Sequence, residues 1–256
     1  MTPVISEVAD GLATVTLNRP EQMNAVTAEL GAALHRAIDE LGSDPQVNVI
    51  AIRGSGGNFC AGGDFGEVER LRAEGPEALK ALFVNFTGAT RAIAGCRVPV
   101  IAVVDGVAMA GGFELMQAAD LALVSSGARI SDNHIRFGQI PGGGSSQRLA
   151  RLVGRQQALG LLLSGDRLSG DDAVRLGLAY KSWPDEHFAD EAAQFLRTLA
   201  GRPRAAVTTI KRLVLDGLDE NLDDGLDAEI EAVVRHISGA AGEDGVTAFS
   251  ERSGRR

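Results

Sequence analysis

Short apolar runs along the chain predict a set of buried strands. Residues 3 to 8 and 13 to 18 are typical of a hairpin that turns at Asp10-Gly11. Further runs of strand length, rich in Val, Ile and Leu, lie at 47–52, 99–104, 120–125 and 128–131. A last short run, 179–183, interrupts a long stretch of helical pattern.

Between and after these runs, the apolar positions follow a helical period. Leu30, Leu34, Ile38 and Leu41 form one stripe, so we expect a helix that is capped by Thr27 and faces the core. The other predicted helices are 65–73, 76–95, 111–118, 145–164, 169–177, 185–200, 203–216, 222–238 and 243–251. Strands that alternate with helices predict an α/β fold with a parallel sheet. We therefore expect a core in residues 1–200 and a helical C-terminal region in residues 201–256.

Length, composition and charge narrow the class of protein. The chain has 256 residues, of which 45% are hydrophobic, enough to bury the core of one enzyme-sized domain. Its 25 basic and 34 acidic residues give a net charge of −9, which argues against nucleic acid as a partner. No apolar run approaches the roughly 18 residues of a membrane span, and no signal-peptide pattern is present. We therefore expect a cytoplasmic protein without a membrane partner.

Two glycine-rich turns carry the candidate chemistry. Val107 to Glu114 follows a strand and leads into a helix, where free backbone N–H groups and the helix dipole favour negative charge. Asn58 to Phe65 repeats the order of strand, glycine-rich loop, acid and helix. Two such turns could direct two N–H groups at one oxygen. Taken singly, Gly63 and Gly111 are also explained as ordinary turn glycines that need positive φ.

These turns, together with Asn18 to Ala25 and Phe137 to Leu149, resemble the crotonase, or enoyl-CoA hydratase/isomerase, superfamily. The four motifs come in the order and spacing of that family, and the resemblance runs from residue 4 to residue 252. It implies the ClpP/crotonase-like fold, a spiral of ββα units, with a helical C-terminal region that drives trimerisation. It also implies an acyl-CoA substrate, no cofactor beyond the CoA of that substrate, and a homotrimer or hexamer. The superfamily holds many reactions, so the resemblance does not name one.

The resemblance assigns roles to three positions. Gly63 and Gly111 match the residues whose N–H groups form the oxyanion hole for the thioester oxygen. Glu114 matches the first of the two catalytic glutamates of family hydratases. The alternative for Glu114 is a carboxylate that only complements a helix N-terminus. In a partly apolar cleft its pKa should be raised, which would suit it to hold and deprotonate water.

His134 is the departure from the family pattern that matters most. Counted back from Pro141-Gly142, the second catalytic glutamate falls at His134, so we expect an acid/base pair of Glu114 and His134. The alternative is a packed, hydrogen-bonded histidine without a catalytic role. Asp132 is a candidate to orient the imidazole, although two residues apart on a strand the side chains would face opposite ways. The change puts in question simple syn hydration of 2-enoyl-CoAs and the isomerase reactions that depend on the second glutamate.

Positions that contact CoA or substrate follow from the same resemblance. They are Gln22, Met23, Ala25, Ala61, Gly62, Asp64, Phe65, Gly112, Pro141 and Gly142. Asp64 is also expected to cap the next helix. Gly66 stands where some members have a phosphate-binding lysine, and Arg252 or Arg255 could replace that lysine or could simply be solvated. The acyl pocket should draw on apolar side chains of the 65–95 region that could equally be core: Phe65, Leu71, Leu82, Phe83 and Phe86.

Other chemistries find little support in the sequence. Cys60 and Cys96 are too few for a disulfide framework and are best explained as reduced, buried thiols. The four histidines are scattered without ligand spacing, so we expect no metal site. Gly54 to Phe59 does not complete a dinucleotide-binding motif, and no P-loop is present. Gln147 replaces the last glycine that a nucleophile elbow would need.

Three functions remain open at this point. The favoured one is addition or elimination of water on a functionalised 2-enoyl-CoA. The second is a CoA-dependent hydrolase that cleaves a C–C or thioester bond, with Glu114 activating water. The third is a non-catalytic acyl-CoA-binding or assembly protein that keeps the fold. Turnover of a panel of acyl-CoAs would separate them.

Overall fold

The computed structural model describes residues 2–239. Eight strands are β1 (Val4–Ala9), β2 (Leu12–Leu17), β3 (Val49–Gly54), β4 (Val100–Val104), β5 (Val107–Met109), β6 (Leu121–Ser125), β7 (Arg129–Ser131) and β8 (Lys181–Trp183). Ten α-helices are α1 (Ala28–Ser43), α2 (Phe65–Glu74), α3 (Pro76–Gly95), α4 (Gly111–Ala118), α5 (Ser145–Val153), α6 (Arg155–Ser164), α7 (Gly170–Arg175), α8 (Asp185–Ala200), α9 (Arg204–Gly217) and α10 (Leu222–Ile237). Pro20–Gln22 and His134–Phe137 form short 3₁₀ helices.

Two sheets organise the described residues. The larger has the order β1-β2-β3-β4-β6-β8, in which only the β1–β2 hairpin is antiparallel. The smaller pairs β5 with β7 in parallel. Isolated bridges join Cys60 to Ala108 and Val26 to Gly63, so the segment 58–64 is held between the smaller sheet and the residues before α1. The α/β fold with a parallel sheet that the sequence predicts is confirmed.

The core lies on both faces of the larger sheet, as parallel strands require. One face packs against α1, α3 and α4, and the other packs against α8. The predicted stripe Leu30, Leu34, Ile38 and Leu41 is buried in the first of these layers. The hydroxyl of Thr27 accepts a hydrogen bond from the N–H of Leu30 at 3.0 Å, which confirms the predicted cap of α1.

The structure differs from the sequence-based prediction in two elements. The predicted single helix 145–164 is wrong, because Gly154 has φ +79° and ψ 160° and separates α5 from α6. The predicted strand-to-helix turn Val107 to Glu114 begins instead with a short strand, Val107–Met109. Three residues give too little alternation for a pattern to show, and the pairing partner Arg129–Ser131 is distant in sequence. The predicted helix 243–251 and the residues Arg252 and Arg255 lie outside the described part of the chain.

The helical C-terminal region is attached to the core through α9. Lys211, 6% exposed, places its Nζ 2.7 Å from the carboxylate of Asp120 and donates to the carbonyl of Val98 at 3.1 Å. Burial raises the pKa of Asp120, with Lys211 acting against that shift. Beyond this anchor, α9 packs on α10. None of the helices in residues 2–239 is long and apolar enough to span a membrane, and the cytoplasmic location stays a prediction.

Candidate active site

The first glycine-rich turn is clamped on both sides of Gly63. The N–H of Val26 donates to the carbonyl of Gly62 at 2.7 Å, and the N–H of Asp64 donates to the carbonyl of Val26 at 2.9 Å. The carbonyl of Gly62 and the N–H of Asp64 therefore both point toward Val26, and the N–H of Gly63 points away from it because its peptide bond is trans. The N–H of Gly63 itself has no acceptor among residues 2–239, so it is open to a ligand on the exposed side of the turn.

Arg19 and Asn24 fix the segment that clamps this turn, and neither was predicted as a site residue. The guanidinium of Arg19 donates to the carboxylate of Asp64 at 2.8 Å and to the carbonyl of Ala25 at 2.5 Å. Asn24 is fully buried in the left-handed region, with φ +56°. Its amide donates to the carbonyls of Ser55 and Asn58 at 2.9 and 2.7 Å. Both residues belong to the motif Asn18 to Ala25, and only their tertiary contacts reveal this role.

The second glycine-rich turn starts α4 in a strained conformation. Ala110 has φ +47° and ψ −115°, a region that side chains disfavour and that costs about 1–3 kcal/mol. Its N–H donates to the carbonyl of Ser131 at 2.9 Å, so β7 holds it in place. Gly111, the first residue of α4, has an N–H without an acceptor in the described residues, as expected at a helix start.

The two turns touch through glycines. A Cβ atom on Gly62 would lie 2.8 Å from the Cβ of Ala110 and 3.4 Å from the nitrogen of Gly111. A Cβ atom on Gly112 would lie only 2.0 Å from the carbonyl oxygen of Cys60. The close approach of the two turns therefore requires glycine at 62 and 112.

Glu114 is buried one turn along α4, with 2% of its surface exposed. Its Oε1 accepts hydrogen bonds from the N–H groups of Gly143 at 2.6 Å and Ser145 at 3.2 Å. Oε2 has no hydrogen-bond partner within residues 2–239. Burial raises the pKa of Glu114, against the lowering effects of the Ser145 N–H, the charge of His134 and the Gly143 N–H. The predicted direction of this shift is confirmed.

The loop that binds Glu114, residues 142–145, is held by contacts with three helices. Arg148 donates to the carbonyl of Gly143 at 2.9 Å, and Gln117 donates to the hydroxyl of Ser145 at 2.8 Å. Phe83 and Phe86 of α3 fill the space that side chains at 142 and 143 would occupy, because Cβ atoms there would lie 2.5 and 2.3 Å from the rings. The loop is therefore held in place from α3, α4 and α5.

His134 is hydrogen-bonded to Asp132 and is near enough to Glu114 for their charges to interact. Its Nδ1 is 2.6 Å from Oδ1 of Asp132, and the His134 side chain is 18% exposed. The expectation that these side chains face opposite ways is wrong, because β7 ends at Ser131 and His134 begins a 3₁₀ helix. Burial lowers the pKa of His134, but the hydrogen bond and charge of Asp132 and the charge of Glu114 outweigh it and raise the pKa above 6.5.

Comparison with known proteins places this geometry in a family. The family model described as enoyl-CoA hydratase/isomerase matches residues 7–255. The chain belongs to the enoyl-CoA hydratase/isomerase family. It is 31% identical to a crotonyl-CoA hydratase of Syntrophomonas wolfei, over 97% of this chain and 95% of the relative. It is also 31% identical to a 1,2-epoxyphenylacetyl-CoA isomerase of Escherichia coli, over 96% and 94%.

Solved structures support the same family assignment. An enoyl-CoA hydratase from Polaromonas sp. JS666 superimposes with a TM-score of 0.92 at 30% identity, covering 97% of each chain. An enoyl-CoA hydratase from Bacillus anthracis gives a TM-score of 0.92 at 26% identity, covering 98% of this chain and 96% of that chain. The predicted crotonase fold is thereby confirmed.

For this enoyl-CoA hydratase/isomerase family member, the predicted contact residues divide by exposure. Ala25, Gly62 and Gly112 are buried, whereas Met23 and Phe65 are 46% and 63% exposed. Ala61, Asp64 and Pro141 are intermediate, and Gln22 and Gly142 are exposed. The carboxylate of Asp64 accepts from the N–H of Glu67 at 3.1 Å, so its predicted capping of α2 is confirmed.

A cleft of about 450 Å³ adjoins the first turn. It is lined by Arg19, Thr27, Glu29, Asp64, Gly66, Glu67 and Arg70. The guanidinium of Arg70 reaches the carboxylate of Glu74 at 2.6 Å, and that of Arg19 reaches Asp64. Gly66 therefore lies in a charged cleft whose arginines are already paired with carboxylates.

The two cysteines do not have the environment of a catalytic thiol. Cys60 and Cys96 are free and buried, and burial raises the pKa of the Cys60 thiol to about 12. A thiol with that pKa is a poor nucleophile near neutrality.

Within residues 2–239, no group of three or more His, Cys, Asp and Glu side chains could hold a metal ion. Of the suggested acyl-pocket residues, Leu71, Leu82 and Phe86 are core, whereas Phe65 and Phe83 are exposed.

Proposed function

We propose that this protein adds water to, or eliminates water from, a 2-enoyl-CoA. The observation that carries the proposal is the position of Glu114. Its carboxylate is fixed by the N–H groups of Gly143 and Ser145 and lies one turn after a free N–H at Gly111. A base that is held rigidly beside an anion-binding site is what enolate chemistry on a thioester needs.

In this mechanism the N–H groups of Gly63 and Gly111 form an oxyanion hole for the thioester oxygen. Fixed donors of this kind contribute about 2.7–4 kcal/mol each to the transition state. Water donates a proton to Glu114 as its oxygen attacks C3 of the enoyl group. The electron pair of the double bond moves onto the thioester oxygen and forms an enolate. His134 then donates a proton to C2, which completes the addition.

The environment of Glu114 supports its role as a base. Burial raises the pKa of the carboxyl group, so the ionised form is a stronger base than an exposed glutamate. Because Oε1 is bonded to two N–H groups, Oε2 is the oxygen that can accept a proton from water. The carboxylate therefore has one atom that fixes its position and one that can react.

The substrate would lie along the two turns. The thioester would sit between Gly63 and Gly111, with the acyl group toward Glu114, His134 and the exposed rings of Phe65 and Phe137. These rings meet edge to face, with centroids 5.8 Å apart. The CoA part would follow Gln22, Met23 and the cleft beside Asp64. An imidazole in place of the second carboxylate favours a functionalised acyl group over simple crotonyl-CoA.

A panel of acyl-CoAs tests this proposal against its alternatives. A fall in absorbance of the enoyl thioester marks hydration, and it is the expected result. Release of free CoA thiol would instead mark a thioester hydrolase, and a ring-opened acyl-CoA would mark a C–C hydrolase. Binding of every acyl-CoA without turnover would mark a non-catalytic protein and would contradict the proposal.

We also propose that the C-terminal region, residues 201–256, assembles the chain into a homotrimer or hexamer. Support comes from the apolar surface of α9 and α10, where side chains are 57–77% exposed: Ile210, Val214, Leu218, Leu222, Ile230, Val234 and Ile237. Exposed large apolar side chains in this number are typical of an interface. Sedimentation should show an oligomer that Ile230→Asp weakens, whereas Ile5→Asp on the exposed side of β1 should leave it intact. A wild-type monomer would contradict this proposal.

A further inference from the structure

We propose that Asp132 is a positioning residue that turns His134 into a proton donor, so that the pair replaces one neutral carboxylic acid. The inference rests on the proposed function and adds the means by which a histidine can stand at this position.

Asp132 is fixed by the strand that also holds the second turn. It directly follows β7, whose last residue, Ser131, accepts a hydrogen bond from the N–H of Ala110 at 2.9 Å. The hydroxyl of Ser131 donates to the carbonyl of Gly165 at 3.1 Å. Asp132 and the start of α4, which carries Glu114, are therefore tied to the same three-residue strand.

In the described residues, the carboxylate of Asp132 makes its one hydrogen bond to the imidazole of His134. The side chain is 1% exposed, Oδ1 meets Nδ1 of His134 at 2.6 Å, and Oδ2 is buried without a partner in the described residues. A buried carboxylate is costly unless a cation is close to it. The imidazole of His134, which is a cation when it is protonated, is therefore the group placed to offset that cost.

The charge of the pair matches that of the group it replaces. An ionised Asp132 and a protonated His134 sum to zero, as does one protonated carboxyl group. With Glu114 ionised, the site then carries one negative charge, as two carboxyl groups with one proton would. Since Nδ1 is bonded to Asp132, the proton available to substrate is the one on Nε2.

The proton balance closes over one turnover. The Nε2 proton forms the new C–H bond at C2, and the imidazole is left neutral with its Nδ1 proton on the Asp132 side. Glu114 has gained the proton from water. Transfer of that proton to Nε2, directly or through water, restores the starting state. The charges that act on His134 are those of Asp132 and of Glu114 on α4, while Arg148 of α5 acts on Glu114.

The test is Asp132→Asn, because asparagine keeps an oxygen for Nδ1 and removes only the charge. Hydration needs the protonated imidazole, so kcat should fall as pH rises through the pKa of His134. Loss of a neighbouring opposite charge lowers such a pKa by about 1–3 units. The alkaline limb of the kcat profile should therefore move to lower pH by about one unit or more. At pH values above the limb, kcat should be lower than that of the wild type by about tenfold or more. Asp216→Asn, at an exposed position of α9, is the matched control and should leave the limb in place.

Nuclear magnetic resonance of the imidazole gives a readout that does not depend on turnover. The His134 ring signal, assigned by its absence in His134→Gln, should titrate at lower pH in Asp132→Asn than in the wild type. Equal titration midpoints in the two proteins would overturn the inference, as would an alkaline limb that Asp132→Asn does not move. If the wild type hydrates no enoyl-CoA but the midpoints differ, the pair exists and the proposed function fails instead. Asp132→Ala, which also removes the oxygen that orients the ring, should lower kcat further with little change in KM.

Discussion

Gly112→Ala would separate the two glycine-rich turns that we propose as the oxyanion hole. A Cβ atom at this position lies 2.0 Å from the carbonyl oxygen and 2.8 Å from the carbonyl carbon of Cys60. Both atoms belong to the backbone, which cannot rotate away as a flexible side chain can. The turn that carries Gly63 and the start of α4 must therefore move apart.

The size of the effect follows from the geometry. Real Cβ atoms essentially never come within 3.0 Å of such a neighbour, so a gap of 2.0 Å must open by about 1 Å. A displacement of about 1 Å at a reacting group can cost about 10²-fold in rate. If one of the two donors is lost altogether, the cost is about 10²–10³-fold in kcat. Overpacking of this kind costs about 1–3 kcal/mol in the free energy of unfolding.

Two assays separate a local effect from unfolding. Steady-state hydration gives kcat and KM, and the absorbance of bound acetoacetyl-CoA as its enolate reports the oxyanion hole without turnover. Both signals should fall in Gly112→Ala while thermal unfolding still shows a cooperative transition. Gly160→Ala in α6 is the control, because its Cβ would meet nothing within 4 Å. It should keep full activity and gain about 0.5–1 kcal/mol. A folded Gly112→Ala protein with wild-type kcat and enolate absorbance would refute the reasoning.

Three further predictions concern Glu114, Ala110 and Lys211. Glu114→Gln should lower kcat by about 10²–10⁴-fold with little change in acyl-CoA affinity; equal activity would make the carboxylate structural. Because the pKa of Glu114 is raised, its contribution to stability is full below pH 4.5 and is lost as pH rises through the folded pKa. At neutral pH the glutamine variant should therefore unfold at the same or a higher denaturant concentration, and a marked loss of stability would contradict the shift. Ala110→Gly should raise the free energy of unfolding by up to about 1–3 kcal/mol, since glycine tolerates φ +47° and ψ −115°; denaturant titration would show it, and an unchanged midpoint would mean that the strain is not relieved. Lys211→Met leaves the buried Asp120 carboxylate unpaired and should cost about 3–5 kcal/mol, part of which Asp120→Asn in the same chain should recover; a single variant as stable as the wild type would show that the pair does not anchor α9.

Sequence reasoning reached most of the fold because the strong signals are local. The stripe of α1, its Thr27 cap and the parallel strands β3, β4 and β6 all follow from spacing and composition. The boundary between α5 and α6 at Gly154 cannot be predicted from sequence, because glycine inside an apolar helical pattern is often tolerated. Only the positive φ of Gly154 shows that one helix ends there and another begins. Strand β5 cannot be predicted either, because three residues next to glycines are too few to show the alternation of apolar and polar positions that marks a strand.

The candidate site was only partly accessible from sequence. Glu114, Gly63 and Gly111 could be named from motifs, and their roles remain proposals. Arg19 and Asn24 could not be assigned, because their partners Asp64 and Asn58 are fixed by tertiary packing across more than thirty positions. The contact between His134 and Asp132 does not follow from the alternation rule of strands, because both residues lie beyond the end of β7.

Gly142 and Gly143 pack against Phe83 and Phe86, and this packing could couple the substrate range of the protein to its pH dependence. The same loop lies against these two rings and donates the N–H that holds Glu114. If the acyl group lies near this loop, a substitution at Phe83 or Phe86 that changes its pocket would also shift the N–H of Gly143, and with it the pKa of Glu114. New acyl preferences in this scaffold should therefore arise together with altered pH optima. A library of variants at Phe83 and Phe86, selected only for substrate range, would be expected to drift in its pH dependence as well.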